Sequence, residues 1–340
     1  MRAEAEGKKV VLTGLKPTGK AHLGNYLGML KPALSLVQGH PDYVFLYFIA
    51  DYHALTTVRH PDRFRDLYYD SAATWLALGL DPDKAILYRQ SDIPEVFELN
   101  WLLACVTPKG LMDRAHAYKA AVAENQARGA ADPDAGVNMG LYNYPILMAA
   151  DILLMQTDLV PVGMDQVQHV EFARDIASSF NNAYGRILKL PEHLVKEDVG
   201  GIPGLDGRKM SAGYGNTIPL FASSDELRKL IFQIRTDSTP PYAPKDPSAS
   251  VLFLLYSEFA SQEETEAMRR RYLDGRISWA EAKEELFRVL DSFLAEPRRM
   301  YRSLMGDRAR IDAILTEGAA RARALGGPLM ARVREAVGRV

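Results

Sequence analysis

The stretch Val10-Val-Leu-Thr-Gly-Leu-Lys-Pro-Thr-Gly-Lys-Ala-His-Leu-Gly-Asn25 decides the fold class of this chain. Its first four residues form an apolar run that stops at Gly14, which predicts a short buried strand. From His22 to Val37, leucines and a tyrosine recur at helical spacing. A strand, a glycine-containing loop and a helix in this order predict the first unit of a parallel sheet covered by helices.

The same alternation of strand and helix continues to about residue 184. Tyr43 to Ala50 is an unbroken apolar run, as expected for a strand buried on both faces. Ala85–Tyr88 and Leu159–Val162 predict two further strands. The pattern therefore predicts an α/β fold with a Rossmann-like nucleotide-binding domain, whose ligands bind beyond the carboxyl ends of the strands. The loops expected to line the site follow Thr13, Ala50, Gln90 and Val162.

The composition and the periodicity of the sequence change near residue 200. A glycine-rich loop, which we expect to be flexible, spans residues 200–215. Beyond Pro219 the periodicity is helical, and the last helices are predicted over residues 278–294, 309–325 and 329–337. We therefore expect three parts. Residues 1–218 form the α/β domain and end in the glycine-rich loop, residues 219–312 form a helical domain, and residues 313–340 form C-terminal helices that pack back on the first domain.

Composition limits the classes of function. The chain has 340 residues, 41 Lys and Arg against 43 Asp and Glu, and one cysteine, Cys105. A single cysteine excludes intrachain disulfides and cysteine-rich metal sites. Apolar runs such as Val44–Ala50 are too short to span a membrane. These features predict a cytoplasmic protein with no membrane partner, in which any nucleic-acid site is a local basic patch.

The first loop nearly matches the sequence signature of another class of protein. Gly14 to Ala21 nearly matches the phosphate-binding loop pattern G-x-x-x-x-G-K-[ST] and follows a strand. Ala21 stands where that pattern requires a hydroxyl for Mg²⁺, which argues against a P-loop nucleotide hydrolase.

Two other segments carry chemistry that suits a nucleotide. His22 and Gly24 lie where the first helix begins, and backbone N–H groups at a helix start attract phosphate. Arg208 and Lys209 lie on the glycine-rich loop, where a cationic pair can clamp a polyphosphate. Taken singly, the histidine could be a helix cap and the cationic pair part of a solvated linker.

Together these two segments resemble a known family. His22-Leu-Gly-Asn25 resembles the "HIGH" signature of class I aminoacyl-tRNA synthetases, and Lys209-Met-Ser-Ala-Gly213 resembles their "KMSKS" loop. Four other segments are similar to the bacterial tryptophanyl-tRNA synthetases, and the resemblance covers about residues 10–334. These segments are Ala50–Thr56, Tyr144–Leu153, Val160–His169 and Thr236–Ser238.

The resemblance implies a reaction in two steps. L-Tryptophan and ATP, which carries Mg²⁺ on its phosphates, give tryptophanyl-adenylate, and the tryptophanyl group then moves to tRNA(Trp). The helical domain, residues 219–312, would bind the anticodon, with Arg228, Lys229 and Arg235 as candidates for a basic patch. A homodimer is implied, and no metal site on the protein.

The resemblance also implies the site residues. The catalytic positions it implies are Lys209, Lys119 and His22; Lys16 is added as a candidate cation of this chain, because many relatives have a neutral residue at that position. The ATP-binding positions are Leu12, Gly14, Lys16, His22, Gly24, Asn25, Gly163, Asp165, Lys209, Met210 and Ser211. The tryptophan-binding positions are His53, Tyr144, Met148, Asp151 and Gln166.

Asp151 stands out among them because a carboxylate on an apolar helix face is costly unless it is paired. It shares that face with Tyr144 and Met148. By resemblance it accepts the indole N–H while Met148 packs on the ring; the alternative is an ion pair inside the protein.

The chain departs from the family pattern in the glycine-rich loop. Ala212 replaces the second lysine of the signature, and Gly213 replaces its last serine. Losing a charged hydrogen bond costs about 1.5–3 kcal/mol, which would slow adenylate formation unless another cation, Lys16 or Arg208, takes its place. Two alternatives stay open: a tyrosyl-tRNA synthetase, and a synthetase-like regulator that binds tryptophan or nucleotide without efficient aminoacylation.

Overall fold

A central sheet of five parallel strands organises the protein. The computed structural model describes residues 7–17, 19–195 and 201–339. The strand order is β3-β2-β1-β4-β5, and neighbouring strands are parallel. The strands are β1 (Val10–Leu15), β2 (Val44–Ile49), β3 (Ala85–Arg89), β4 (Leu159–Val162) and β5 (Glu192–Val195).

Helices connect and cover these strands. The first, α1, runs without interruption through Leu23–Asn25, a π-helical turn Tyr26–Leu30, and Lys31–Gly39. The helices that follow up to β5 are α2 (Asp51–Ala54), α3 (Pro61–Ala77), α4 (Pro94–Ala104), α5 (Lys109–Met112), α6 (His116–Ala127), α7 (Met139–Leu154) and α8 (Val167–Tyr184). Beyond β5 lie α9 (Ser224–Gln233), α10 (Val251–Ser257), α11 (Gln262–Leu273), α12 (Trp279–Gly306) and α13 (Arg308–Ala336).

The topology places a crevice between β1 and β4. The chain order runs outward through β2 and β3 on one side of β1 and through β4 and β5 on the other. In open parallel sheets, ligands bind at the carboxyl ends of the strands where the order reverses. The predicted fold class, a Rossmann-like sheet followed by a helical region, is confirmed.

Alternate side chains of the strands enter two hydrophobic cores. Val11 and Tyr47 point into a core that continues beneath α1 and α3 into the C-terminal helical region. Leu12 and Leu46 point into the opposite core, which α4, α7, α8 and α13 cover. Because the first core runs on without a break, the helical region is packed firmly against the sheet that carries the candidate site.

The last helix closes the exposed edge of the sheet. α13 lies directly on β3, and a Cβ atom at Gly318 would be 1.8 Å from the carbonyl oxygen of Leu87. Covering an edge strand protects its unpaired backbone groups. Arg89, at the end of β3, also donates to Asp312 of α13 at 3.0 Å. The division into functional domains at residues 218 and 312 stays a prediction.

Three elements differ from the sequence-based expectation. β5 is additional, and its polar Glu192 and His193 explain why no apolar run signals it. α12 continues through Pro297 to Gly306, and α13 is one helix where a break near Gly326 was expected. A Cβ at Gly326 would lie 3.0 Å from Leu154, so close packing stabilises a helix that local propensity disfavours.

The contact between α13 and β3 makes a testable prediction. Gly318→Ala should destabilise the protein by about 3 kcal/mol, because a methyl group cannot fit against the Leu87 carbonyl without moving the helix. The matched control is Gly327→Ala on the same helix, where a Cβ has no neighbour within 4 Å. Helix propensity should make that variant more stable by up to about 1 kcal/mol. Urea unfolding measures both, and equal stabilities would contradict this packing.

Candidate active site

The start of α1 is fixed by a reciprocal pair of hydrogen bonds. The Asn25 backbone N–H donates to His22 Nδ1 at 3.3 Å, and the His22 backbone N–H donates to Asn25 Oδ1 at 3.1 Å. Burial lowers the pKa of His22. An accepting Nδ1 places the proton of the neutral ring on Nε2. His22 is therefore a neutral N–H donor at a helix start, which suits a phosphate oxygen.

The glycine-rich loop is seated on this helix start. The Gly24 N–H points at Met210 Sδ, 3.2 Å away, and a Cβ at position 24 would lie 3.2 Å from Met210 Cβ. The Leu23 N–H donates to the Ile218 carbonyl at 2.9 Å, just after the loop. The two segments that resemble the family signatures therefore lie in direct contact.

The described part of the loop, residues 201–215, is ordered by hydrogen bonds; Gly200 lies outside the described residues. Asn216 accepts the Ser211 N–H at 2.8 Å and donates to Asp206 at 2.7 Å. Asp206 also accepts Arg208 Nε at 2.6 Å, and these bonds lower the pKa of Asp206 to about 2. Lys209 is exposed. The cationic pair is thus divided, because Arg208 is paired while Lys209 faces solvent.

Lys16 is an exposed cation directly after β1. Its Nζ donates to Thr56 Oγ1 at 3.1 Å, and the Thr56 hydroxyl donates to the His53 carbonyl at 2.8 Å. Partial burial lowers the pKa of Lys16. The hydrogen bonds place this cation one helical turn from His53, a predicted tryptophan-binding residue.

Asp151 is buried, 2% exposed, beside the residues that follow β2 and β3. Its carboxylate accepts two hydrogen bonds from Gln90 Nε2, at 3.0 and 2.8 Å, and one from His53 Nε2 at 3.1 Å. Burial raises the pKa of Asp151, while the bonds from His53 and Gln90 act in the opposite direction. The buried carboxylate is therefore paired, as its cost requires.

A second buried carboxylate aligns the two strand ends that hold Asp151. Asp51 follows β2 and accepts the backbone N–H and the hydroxyl of Ser91, at 3.1 and 2.5 Å. Ser91 is the neighbour of Gln90, and His53 lies two residues after Asp51. Asp51 thus positions both partners of Asp151.

Tyr144, His169 and His53 form an aromatic group near Asp151. The Tyr144 hydroxyl lies 2.9 Å from His169 Nε2, and its ring lies edge-on to that of His53. Burial raises the pKa of Tyr144. Met148, half-buried, is one turn along α7 and three residues before Asp151. The helix brings together three of the predicted tryptophan-binding residues.

The remaining predicted residues lie on the strand ends and on α6. Leu12 is buried in the sheet core, and at Gly14 a Cβ would lie 2.6 Å from the Phe48 ring. Gly163 follows β4 and precedes a 3₁₀ turn that includes Gln166. The side chain of Asp165 lies outside the described part of the structure. Lys119 is exposed on α6, a helix with no buried residue.

Sequence reasoning missed several residues of this site. Gln90 is completely buried and makes two bonds to Asp151. Its position at the end of β3 was a usable signal, because loops after strands line such crevices. Thr56, His169 and Asn216 act through hydrogen bonds that no spacing rule reveals.

Metal ligands are not grouped in the part of the chain that the structure describes. Within residues 7–17, 19–195 and 201–339, no three His, Cys, Asp or Glu side chains are arranged to hold a metal ion.

Comparisons with known proteins identify the family. The family model described as tRNA synthetases class I (W and Y) matches residues 4–295, and the chain belongs to this family. It is 54% identical to the tryptophan–tRNA ligase of Pseudomonas aeruginosa over 331 residues, 96% of this chain and 73% of that protein. It is 49% identical to the enzyme of Neisseria meningitidis, over 97% and 98% of the two chains. Within the family, the chain is thus one of the bacterial tryptophan–tRNA ligases.

A solved structure extends the likeness to three dimensions. The tryptophanyl-tRNA synthetase of Campylobacter jejuni, complexed with ADP and tryptophan, is 40% identical and superposes with a TM-score of 0.88. The match covers 97% of this chain and 99% of that one.

The bonds from Gln90 generate a prediction for the site. Gln90→Met keeps the volume but removes both donors, so the pKa of Asp151 should rise further. Tryptophan affinity should fall by about tenfold, and its loss on acidification should begin at a higher pH than in the wild type. Calorimetric titrations across a pH series measure this. Gln233→Met, an exposed glutamine on α9, is the control. A wild-type affinity and pH profile for Gln90→Met would contradict the role.

Proposed function

We propose that this protein activates L-tryptophan with ATP to tryptophanyl-adenylate and then charges tRNA(Trp). The observation that carries the proposal is the buried carboxylate of Asp151, held by Gln90 and His53 at the carboxyl end of the sheet. An apolar pocket with one charged acceptor at its bottom suits an indole ring, which has a single N–H donor.

The chemistry needs no nucleophile from the protein. The carboxylate of tryptophan attacks the α-phosphate of ATP, and pyrophosphate leaves. The protein contributes positioning and stabilisation of phosphate charge. His22 Nε2–H and the exposed ammonium of Lys209 serve as donors to the phosphates. Tyr144 and Gln166 hold the substrate ammonium, and the α6 helix carries Lys119 towards the phosphates.

ATP is proposed to bring Mg²⁺ on its phosphates. The ion partly neutralises the charge of the triphosphate when bound. The predicted ATP-binding residues are helix-start N–H groups, glycines and lysines, which suit phosphate oxygens and not a cation.

The tyrosyl alternative is less well supported. A phenol hydroxyl both donates and accepts, whereas an indole N–H only donates, and the carboxylate of Asp151 can only accept. Tryptophan–tRNA ligases are the relatives matched at about half identity.

The position of Lys16 argues against the alternative that this protein is a regulator without efficient aminoacylation. Ala212 removes a cation from the glycine-rich loop, and Arg208 is held by Asp206. Lys16, in contrast, is fixed beside the crevice through Thr56. We propose that Lys16 supplies the charge that Ala212 lacks, so that efficient adenylate formation is retained.

The helical region, residues 219–312, is proposed to bind the anticodon. Its basic residues at the start are not equivalent, because Arg228 pairs with Glu284 at 2.8 Å while Lys229 and Arg235 are exposed. Phosphate contacts of this kind position RNA without reading its sequence.

A homodimer is proposed from an exposed apolar patch on α4. Trp101 is 70% exposed, and Phe97 lies one turn before it on the same helix. Tyr52, also exposed, packs against Phe97 with ring centroids 5.0 Å apart. Contiguous apolar surface of this kind marks an interface. A second copy would bury a patch that lies beside the loop carrying His53.

Localisation is proposed to be cytoplasmic, where ATP and tRNA are available. In the described ranges no helix is both long enough and apolar enough to cross a membrane.

Asp151→Asn tests the function. The amide NH₂ would face the N–H donors of Gln90 and His53, so the site loses its acceptor charge and its alignment. Tryptophan-dependent exchange of pyrophosphate into ATP should proceed in the wild type, and the KM for tryptophan should rise roughly a hundredfold in the variant. Asp70→Asn, a buried carboxylate bonded to Tyr301 away from the site, should leave that KM unchanged. An unchanged KM in Asp151→Asn would refute this role.

Lys16 and Ala212 can be tested as a pair. Lys16→Gln should slow adenylate formation by about tenfold to a hundredfold. Ala212→Lys alone should change it little, but in the Lys16→Gln background it should restore activity, because the two lysines would serve one role. Lys20→Gln, an exposed lysine on the same loop, is the control. If Lys16→Gln has no effect in single-turnover measurements, Lys16 is not the substitute.

The patch on α4 predicts the oligomeric state. Sedimentation equilibrium should show a dimer for the wild type and a monomer for Trp101→Glu, because a charge in an apolar interface is not compensated. Leu273→Glu, which changes an exposed apolar residue on α11, should remain dimeric. A monomeric wild type, or a dimeric Trp101→Glu, would disprove the assignment.

A further inference from the structure

The loop that follows α9, residues 236–246, presents an exposed aromatic ring in a strained conformation. Tyr242 is 62% exposed, and its backbone φ is 58°, in the left-handed region. A bulky residue seldom adopts this conformation, and it persists only where its surroundings impose it. An exposed ring has no packing of its own to explain the strain.

A buried lysine holds the loop from inside. Lys245 Nζ donates to the Ala243 carbonyl at 2.9 Å and to the Pro240 carbonyl at 3.4 Å. Its ammonium also lies 5.3 Å from the centre of the Trp279 ring, and its backbone N–H donates to the Tyr272 carbonyl. The turn that carries the exposed tyrosine is therefore anchored on both sides.

Two further contacts fix the loop from outside. At Gly275 a Cβ would lie 2.5 Å from the Tyr242 carbonyl oxygen, so the two backbones are in close contact. Asp237 accepts the Thr239 N–H at 2.8 Å and Trp279 Nε1–H at 3.2 Å. The loop is preorganised, and the ring can bind a partner with little loss of conformational entropy.

The ring itself is available to a flat partner. Its hydroxyl donates to Glu281 at 3.4 Å, and within the described residues no other ring or cation packs on it. The Glu281 carboxylate is occupied by the Ser278 N–H and hydroxyl, both at 2.7 Å. Arg276, next to Gly275, is exposed; its ion pair with Asp274, at 3.8 Å, is long and solvent-exposed, so the guanidinium can turn to a phosphate. An aromatic face beside a cation is the arrangement that binds a single-stranded nucleotide.

We infer that Tyr242 is a stacking platform for one unpaired nucleotide of the tRNA, with Arg276 on the adjoining phosphate. The inference rests on the proposed function, which makes RNA the partner of the helical region. An unpaired base is preferred to a protein side chain as the occupant because the cations Arg235 and Arg276 flank the loop at its start and beneath its tip.

Stability and RNA binding should respond in opposite directions to substitution. Asn tolerates the left-handed region, so Tyr242→Asn should melt at the same or a higher temperature than the wild type. It should bind the tRNA about tenfold more weakly, because stacking on the ring is lost. Tyr242→Phe removes only the bond to Glu281, and Tyr242→Trp keeps an aromatic face. Both should bind within about twofold of the wild type.

The experiment measures direct binding of the full chain to transcripts of tRNA(Trp), unmodified and with single abasic nucleotides in the anticodon loop. At one position the abasic transcript should weaken the wild type by about tenfold and leave Tyr242→Asn unaffected. Wild-type affinity in Tyr242→Asn, or equal losses in both proteins at every abasic position, would overturn the inference. A lower melting temperature together with weaker binding in all three variants would show a structural role and also overturn it.

Failure of this inference is distinguishable from failure of the proposed function. Tryptophan-dependent pyrophosphate exchange requires no tRNA, and Tyr242→Asn should retain the wild-type rate. An absence of exchange in the wild type would refute the proposed function, whereas normal exchange with unaltered tRNA binding in Tyr242→Asn would refute only the platform.

Discussion

The hydrogen bonds to the buried carboxylate of Asp151 are the interaction on which the site depends. Asp151 lies on α7, and its donors Gln90 and His53 follow β3 and β2. An unpaired charge in this position would destabilise the fold, so the ends of two strands and one helix must stay in register. Asp51 contributes to the same constraint by joining the two strand ends through Ser91. The requirement for charge compensation thus fixes the relative positions of α7 and the residues that follow β2 and β3.

The phosphate side of the site is built on a different physical basis. The start of α1 and the glycine-rich loop meet through Gly24 and Met210, with backbone donors and a neutral His22 pointing to the crevice. These groups need no charge of their own, because a helix start already favours an anion. Cations then add to a prepared site, and Lys16 is the cation proposed to take the place of the lysine that Ala212 replaces.

The sequence predicted the fold class and most strands and helices, but it did not predict the individual packing contacts. Strands β1 to β4 and the crevice followed from apolar runs that bury both faces of a parallel sheet. β5 could not be predicted, because Glu192 and His193 lie on a solvated edge and give no hydrophobic pattern. The continuity of α13 through Gly326 depends on packing against Leu154, which no local propensity encodes. Tertiary contacts decide such elements.

In the candidate site, too, some residues were predictable from the sequence and others were not. Asp151 was predictable because a carboxylate on an apolar helix face is costly unless a partner compensates its charge. Gln90 was marked only by its position after β3, because an uncharged glutamine there looks like any loop residue until its amide is seen on the carboxylate. The glycine-rich loop was expected to be flexible from its composition, yet Asn216 orders its described part. The composition gives the number of glycines in the loop, but it does not reveal that the side chain of Asn216 orders the loop through hydrogen bonds.

The central claim is that the Asp151 carboxylate recognises the indole N–H. Calorimetric comparison of L-tryptophan with its analogue in which sulfur replaces the indole N–H tests this most directly, because the two ligands share shape and differ in one donor. The account predicts that the sulfur analogue binds roughly a hundredfold more weakly, since the buried carboxylate is left without its ligand partner. Equal affinities would contradict the account and show that the pocket selects its ligand by shape alone.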